Sequence, residues 1–405
     1  MERVRTWLRW ATGWTLISLF YAHSLFATDT AAVTPAASVI LAALMTVTAL
    51  MGLGALAVDR PPTTFRRGAM FTLVLAISLW VLVSISHYLI TPPTSRDLGQ
   101  FGIYCLIPIL LLLNRERAQL VTFVARLCVI MTLADLAYNL LAIVGVVTPL
   151  ASGGAIFLSG VRVDRHPGIS GSILSAGEVA LIGVLYSAWR TRCKPRKIPK
   201  AGWYLIFGLC ALGLHIVIAR RYEVAAIVGA AIILIPWARR VPLPIYALIQ
   251  AGFGLYFTFT SLDPEEVLRS RLISAAADDV GAMFWFGRGI YTFPPAASQA
   301  FSDMRVAGVT ESGALDLALA FGAPAAALFF VAVALALFAK RASVTWMPVL
   351  VTVFAGTFAY NNPLGFLGSV VFFGALLSAI LEEAPDARGY FNVRNPIHGA
   401  AMARG

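Results

Sequence analysis

The chain has 405 residues, of which 59% are hydrophobic and 13% charged, and its formal net charge is +11 at pH 7. A soluble protein is about half apolar, so this excess excludes an ordinary soluble globular protein. The apolar residues occur in runs of roughly 17–25, the length that crosses about 30 Å of hydrocarbon. The composition therefore predicts an all-α polytopic membrane protein in which residues 1–405 form a single transmembrane bundle.

The apolar runs predict about twelve transmembrane helices. They lie near residues 10–28, 35–58, 69–90, 99–113, 120–148, 169–188, 202–218, 222–238, 242–260, 312–338, 344–360 and 364–381. The first run follows the basic segment MERVRTWLR, which a cleaved signal peptide would also show. We prefer an uncleaved first helix, because the run is long and the topology requires it.

Lysine and arginine residues recur in every second loop, from Arg3, Arg5 and Arg9 near the N-terminus to Lys340 and Arg341 before the eleventh span. Such residues accumulate on cytoplasmic loops, so both termini and the tail 382–405 are predicted to be cytoplasmic. The same rule accounts for the net charge without a nucleic-acid partner. The long loop, residues 261–311, then lies on the periplasmic side and carries short helices, for which DPEEVLRSRLISAAADDV is a candidate.

Several arginines resist this bias because they lie on the predicted exterior side. They are Arg162, Arg165, Arg220, Arg221, Arg269, Arg271, Arg288 and Arg305. Arg269 and Arg305 fit ordinary surface residues of a long loop, which crosses the membrane regardless of charge. Arg220 and Arg221 fit that interpretation poorly, since two apolar runs meet there with almost no loop, and charge at that depth usually has a partner. Guanidinium groups pair with phosphate through two parallel hydrogen bonds, which predicts a diphosphate site.

Polar residues inside predicted spans are either candidate site residues or hydrogen-bond partners of neighbouring helices. They are His23, His87, Asp135, Asn139, Glu178 and His215. Glu178 and His215 are the candidates for lining a site, because they lie near exterior arginine segments in the chain. The four cysteines have no metal-ligand spacing, and neither a metal nor another cofactor is predicted.

Three segments resemble the O-antigen ligase/polymerase superfamily, the Wzy and WaaL type. RHPGISGSILSAGEVAL (165–181) is similar to its arginine-containing segment that opens a span after an exterior loop. IARRYEVAAIVGA (218–230) is similar to its Ser-Arg helix start, with Arg220 in place of the serine and Arg221 on the arginine. FWFGRGIYTF (284–293) followed by TESGALDLALAFGAPAA (310–326) is similar to the end of its long loop. The resemblance covers residues 160–330, and the first five spans match only in hydropathy.

The resemblance implies a metal-independent glycosyltransferase that uses an undecaprenyl-diphosphate-linked oligosaccharide at the periplasmic face. Glu311 and Arg221 are the implied catalytic residues, with Glu311 orienting or deprotonating the acceptor hydroxyl. The implied contacts to diphosphate or glycan are Arg162, Arg165, Arg220, Arg271 and Arg288. Ligases typically carry a His-Asn pair where this chain has Glu311-Ser312, whereas the Asp-Asn-Gly of polymerases is closer to Glu-Ser-Gly. This favours an inner-membrane polysaccharide polymerase, with a chain-length regulator and a flippase as candidate protein partners.

Alternative interpretations remain open. A ligase would pass finished polymer to another acceptor. A lipid-linked oligosaccharide flippase or other transporter would also suit about twelve spans, although no convincing inverted repeat is present. A non-enzymatic scaffold is the remaining class. Glu311 could also be a carboxylate that interacts with the dipole of the following helix, with Thr310 as its N-cap.

Overall fold

The computed structural model describes most of the chain between residues 67 and 381. The described residues are 67–90, 101–114, 117–148, 155–158, 161–164, 166, 168–170, 173–193, 198–261, 264–282, 284–287, 312–338, 345–364 and 366–381. The predicted spans 10–28 and 35–58, the tail 382–405, and residues 288–311 of the predicted long loop lie outside the described residues.

The described segments are helical apart from one two-stranded hairpin. The helices are α1 (Arg67–Ile90), α2 (Ile107–Leu113), α3 (Arg117–Ile143), α4 (Ile173–Arg190), α5 (Lys200–Val217), α6 (Arg220–Leu234), α7 (Leu243–Thr260), α8 (Pro264–Ala282), α9 (Gly313–Phe321), α10 (Ala323–Phe338), α11 (Trp346–Thr357) and α12 (Phe366–Leu381). A π-helical turn, Gly102–Leu106, leads directly into α2. The antiparallel strands β1 (Ala155–Leu158) and β2 (Val161–Asp164) precede α4.

Four of the described helices, α3, α4, α5 and α7, are long and apolar enough to cross a membrane. Shorter apolar stretches occupy α1, the π-helical turn with α2, α10, α11 and α12. The predicted helical character and the presence of apolar, membrane-compatible helices are thereby confirmed for this part of the chain. The count of twelve spans and the side on which each loop lies stay predictions.

The predicted span 312–338 is divided into two helices, α9 and α10, which meet at Gly322. Gly322 has a φ of 90°, a conformation that residues with a side chain rarely adopt. A Cβ atom at this position would lie 2.8 Å from the carbonyl carbon of Trp285, so the break is also a site of close backbone packing. The prediction of one continuous helix is wrong here, because Gly322 leaves the helical conformation and Pro324 has no backbone N–H with which to continue the hydrogen bonds of α9.

The centre of the bundle is formed by α4 and α12, whose residues are buried on nearly every side. Helix α4 packs against α3, α5 and α6, while α12 packs against α2, α3 and α11. An aromatic cluster joins α1 to α9 and α10, because the ring of Trp80 stacks on Phe321 at 5.0 Å and lies 5.2 Å from Phe329. This packing fixes the relative positions of the helix ends, where the polar residues are found.

Helix α6 carries arginine contacts at both of its ends. At its last turn, Arg192 donates a hydrogen bond to the carbonyl of Ile233 at 2.7 Å, and Arg239 donates to the same carbonyl at 2.9 Å. Cations are favourable at a helix C-terminus, where carbonyl groups have no partner within the helix. Arg220 and Arg221 begin the helix about 22 Å away.

The end of the bundle that contains Arg220 and Arg221 is called the loop end. Helices α6, α9 and α12 begin there, and α7 and α11 end there.

Candidate functional site

Arg221 joins three elements at the loop end. Its Nη1 donates a hydrogen bond to the carbonyl of Tyr360, which follows α11. Its Nη2 lies 3.4 Å from Oε2 of Glu266, in the first turn of α8, and its side chain is 12% exposed. Because the two partners belong to different elements, the guanidinium group of Arg221 has a fixed orientation.

The carboxylate of Glu266 is the centre of this contact. Its Oε1 accepts a hydrogen bond from Nη1 of Arg269, and its Oε2 accepts one from Oγ1 of Thr258 at 3.2 Å. The side chain of Glu266 is 4% exposed, whereas that of Arg269 is 18% exposed. The carboxylate is therefore more deeply buried than the two guanidinium groups that it binds. We call Arg221, Glu266 and Arg269 the arginine cluster, in which two guanidinium groups share one carboxylate.

Arg269 and Arg271 point in different directions from α8. Residues two apart in a helix are separated by about 200° around its axis. Glu266 and Ala276 lie on the buried face of α8, whereas Arg271 is exposed. Arg269, which the sequence suggests is an ordinary surface residue, is thus the arginine of α8 that shares a partner with Arg221. The spacing of three residues between Glu266 and Arg269 in a helix was the signal that could have found this pair.

The segment that follows α11 connects Arg221 to the start of α9. The carbonyl of Tyr360 accepts from Arg221, and the carbonyl of the next residue, Asn361, accepts from the backbone N–H of Gly313 at 3.1 Å. The carbonyl of Phe358 accepts from Ala314 at 2.9 Å. The first residues of α9 and the partner of Arg221 are therefore held by one short stretch of chain.

Ser312 is the N-cap of α9, since its Oγ accepts a hydrogen bond from the backbone N–H of Leu315 at 3.5 Å. The same hydroxyl donates to the carbonyl of Phe358 at 3.2 Å. The interpretation in which Thr310 caps this helix is wrong, because the helix begins at Gly313. Glu311 lies outside the described residues, directly before this cap in the chain.

The position of Tyr360 is set by α7. Gln250 Nε2 donates to the Tyr360 hydroxyl at 3.0 Å and lies 2.9 Å from both the carbonyl of Val353 and Oγ1 of Thr357. One turn after Gln250, Gly254 packs against the ring, where a Cβ atom would lie 2.6 Å from Cγ of Tyr360. The carbonyl that binds Arg221 thus belongs to a residue that is fixed on both sides.

A second polar contact fixes the segment before α4. Asp135 of α3 accepts hydrogen bonds from the backbone N–H groups of Ile169 at 2.8 Å and Ser170 at 3.2 Å, and from the hydroxyl of Ser170 at 2.5 Å. Asn139, one turn later, donates to the carbonyl of His166 at 2.9 Å. Asp135 and Asn139, two polar residues of a predicted span, therefore hold the backbone that follows the predicted exterior arginines.

Three other candidates have protein partners in the described structure. Glu178 is buried in α4 and accepts a hydrogen bond from the backbone N–H of Gly368 at the start of α12. Nδ1 of His215 lies 3.4 Å from Oε1 of Glu223, and the His215 side chain is 77% exposed. Arg220 is half-buried and close enough to interact electrostatically with Glu223. Glu178 therefore joins two helices. His215 and Arg220 lie around the carboxylate of Glu223, which follows Arg221 by two residues in α6.

The side chains of the remaining predicted site residues are outside the described structure. Arg162 lies on β2, where its backbone pairs with Phe157, and its side chain is not described. Arg165 and Arg288 lie outside the described residues, as does His23, and the side chain of His87 is not described. Their predicted roles stay predictions.

The chemistry of the arginine cluster suits an anion. Guanidinium groups form short, charge-assisted hydrogen bonds with phosphate oxygens, and those bonds strengthen where the surroundings have a low dielectric constant. Among the described residues, no group of three or more His, Cys, Asp or Glu side chains is arranged to hold a metal ion.

No protein-family model matches this chain, and no curated protein matches it either. The resemblance to the O-antigen ligase/polymerase superfamily therefore rests on the three sequence segments. All three segments contribute to the loop end of the described structure, through Glu178 in α4, Arg221 at the start of α6, and the start of α9.

Proposed function

We propose that this chain is a polysaccharide polymerase of the bacterial inner membrane. It joins undecaprenyl-diphosphate-linked oligosaccharide repeats by transferring the growing glycan from its lipid diphosphate to a hydroxyl of the next repeat. The loop end faces the periplasm, and both termini are cytoplasmic. The observation that carries the proposal is the arginine cluster, in which Arg221 and Arg269 are held side by side on the buried carboxylate of Glu266.

The leaving group in this reaction is a lipid diphosphate, on which negative charge develops as the glycosidic bond breaks. Fixed positive groups stabilise such charge best when they do not have to reorient during the reaction. Arg221 meets this requirement because Tyr360 and Glu266 bind it from two directions. In the proposal the arginine cluster lies at the membrane surface, at the depth of the diphosphate of a lipid-linked glycan.

The acceptor hydroxyl needs a group that orients it or takes its proton, and Glu311 has this role in the proposal. Support comes from Ser312, the next residue, because it is bonded to the segment 358–361 that also supplies the carbonyl partner of Arg221. Further contacts to diphosphate or glycan are assigned to Arg162, Arg165, Arg220, Arg271 and Arg288. A chain-length regulator and a flippase are proposed protein partners.

The test replaces the chromosomal gene by variants and analyses the lipid-linked glycans. We expect Arg221→Ala and Arg269→Ala each to abolish long polymer and to leave single repeats on undecaprenyl diphosphate at the outer leaflet, with normal protein levels in the membrane. Arg221→Lys should also be impaired, because a lysine cannot form two parallel hydrogen bonds with one partner. Arg240→Ala is the matched control, since Arg240 is exposed at the opposite end of α6 and should leave polymer length unchanged.

Other outcomes identify the alternative functions. Normal polymer length in both Arg221→Ala and Arg269→Ala would refute the proposed site. In cells that lack the chain, long lipid-linked polymer that never reaches its final acceptor would indicate a ligase. Single repeats trapped on the cytoplasmic leaflet would indicate a flippase, and Glu311 would then have no acceptor to orient.

A further inference from the structure

Three consecutive aromatic side chains are exposed where the chain turns after α8. Phe284, Trp285 and Phe286 are 47%, 70% and 79% exposed, and Gly287 completes the turn. We call residues 284–287 the aromatic turn. Large aromatic side chains gain most from removal from water, so three exposed together mark a surface that contacts something apolar.

The aromatic turn has a fixed position because it packs backbone to backbone against the junction of α9 and α10. The carbonyl of Phe284 accepts a hydrogen bond from the backbone N–H of Ala323 at 2.8 Å. Gly287 has a φ of 62°, and a Cβ atom there would lie 2.6 Å from the backbone nitrogen of Gly322. Side chains on either glycine would separate the two segments, so the exposed rings belong to a docked turn.

Helix α10 relates the turn to the membrane. Its exposed residues form one stripe, Ala327, Val331, Leu335 and Phe338, which repeats at three or four residues as one face of a helix does. Ala323, to which the aromatic turn is bonded, lies one turn before Ala327, so the turn continues this apolar stripe. Such a stripe on a helix of a membrane bundle faces lipid.

The length of α10 then gives the depth of the turn. Its 16 residues rise about 24 Å, close to the thickness of the hydrocarbon layer. The basic residues Lys340 and Arg341 follow the other end of this helix and mark the predicted cytoplasmic side. The aromatic turn consequently lies at the outer boundary of the hydrocarbon.

We propose that the aromatic turn inserts into the outer-leaflet interface of the bilayer, among the lipid headgroups and the first acyl carbons. Tryptophan and phenylalanine suit this region because their rings contact apolar carbon, while the tryptophan N–H can bond to a headgroup. Helix α8 is then anchored twice, to Arg221 through Glu266 at its start and to lipid beyond its end. The proposal does not depend on the reaction that the chain catalyses.

The test measures the depth of Trp285 in the full chain reconstituted into phosphatidylcholine vesicles. The chain has 9 tryptophans, so the emission of Trp285 is obtained as the difference between wild type and Trp285→Phe, which keeps an aromatic ring. The lipids carry bromine, a quencher, either near the headgroup or near the bilayer centre, and iodide serves as the quencher in water. We expect the bromine near the headgroup to reduce the difference emission by about half, and the other two quenchers to have weaker effects.

Trp346→Phe is the control, because Trp346 is 0% exposed and its difference emission should resist all three quenchers. Strong quenching of Trp285 by iodide alone would place the turn in water and overturn the proposal. Stronger quenching by bromine near the bilayer centre than by bromine near the headgroup would place the turn inside the hydrocarbon, which would also overturn the proposal. Resistance to all three would mean that protein, such as a second copy of the chain, covers the turn, which also overturns the proposal.

Discussion

Replacing Glu266 with alanine should loosen α8 from the bundle. In the intact protein its carboxylate accepts hydrogen bonds from Arg221, Arg269 and Thr258, which belong to α6, α8 and α7. Removing one partner of a buried ion pair costs about 3–5 kcal/mol, because the other charge loses its counter-ion. The side chains of Arg221 and Arg269 are 12% and 18% exposed, so water compensates part of this loss. We therefore expect the lower end of the range, about 3 kcal/mol.

Hydrogen exchange of the α8 backbone amides measures this change, because exchange reports the free energy of local opening. A loss of about 3 kcal/mol corresponds to an increase in the exchange rate of about 100-fold. Amides of α4, which lies at the centre of the bundle, should keep their protection. The matched control is Asp278→Ala, which removes a carboxylate from the exposed face of the same helix and should leave the exchange of α8 unchanged.

Equal exchange of α8 in Glu266→Ala and Asp278→Ala would refute this reasoning. It would mean that the arginine cluster does not hold α8 against the bundle, and the orientation of Arg221 would need another cause. Faster exchange throughout the bundle, α4 included, would instead show that Glu266 stabilises the whole fold, and the local role assigned to it would be wrong.

Two further substitutions test the supports of the site. Gly254→Ala should displace the ring of Tyr360 and cost about 1–3 kcal/mol through overpacking, measured as a lower unfolding temperature in detergent. Gly252→Ala on the same helix, where a Cβ atom meets nothing within 4 Å, should not lower it, and equal unfolding temperatures for the two variants would contradict the argument. Asp135→Ala leaves the N–H groups of the partly buried Ile169 and the buried Ser170 without their acceptor and should cost about 3 kcal/mol, with faster proteolysis before α4. Asp135→Asn keeps an acceptor oxygen and should lose less stability. Wild-type resistance to proteolysis in Asp135→Ala would contradict the role assigned to Asp135.

The positions of most described helices could be predicted because an apolar run long enough to cross a bilayer has few alternatives to a helix. The span predicted at 242–260 is the helix Leu243–Thr260, and that at 202–218 is Lys200–Val217. The length of the apolar run did not reveal the break at Gly322, although Gly322 followed by Pro324 is a local signal for the end of a helix. The contact of Gly322 with Trp285, which is distant in the sequence, could not be predicted. The hairpin at 155–164 also had a local signal, the Ser-Gly pair between the apolar segment AIFL and the alternating segment VRVD, but apolar runs alone do not reveal it.

The site was predictable only in part, for a similar reason. Arg221 could be singled out because a charge between two apolar runs needs a partner, but its partner, Glu266, lies 45 residues later in the chain. The spacing of Glu266 and Arg269 in a helix predicts their pairing and separates Arg269 from Arg271. That this pair also binds Arg221 follows only once α8 has a rotational position, with Glu266 and Ala276 on the buried side.

Helix α8 connects the proposed anion site with the proposed lipid contact. Its first turn supplies Glu266, which holds the guanidinium groups, and its last residues lead into the aromatic turn, which is docked on α10. The 19 residues of α8 rise about 28 Å, so the helix relates two positions that are far apart in the protein. A protein that handles a lipid-linked diphosphate must keep its positive groups at the depth of the headgroups. An anchor in the bilayer interface and an ion pair to the bundle, placed beyond opposite ends of one rigid helix, provide that constraint.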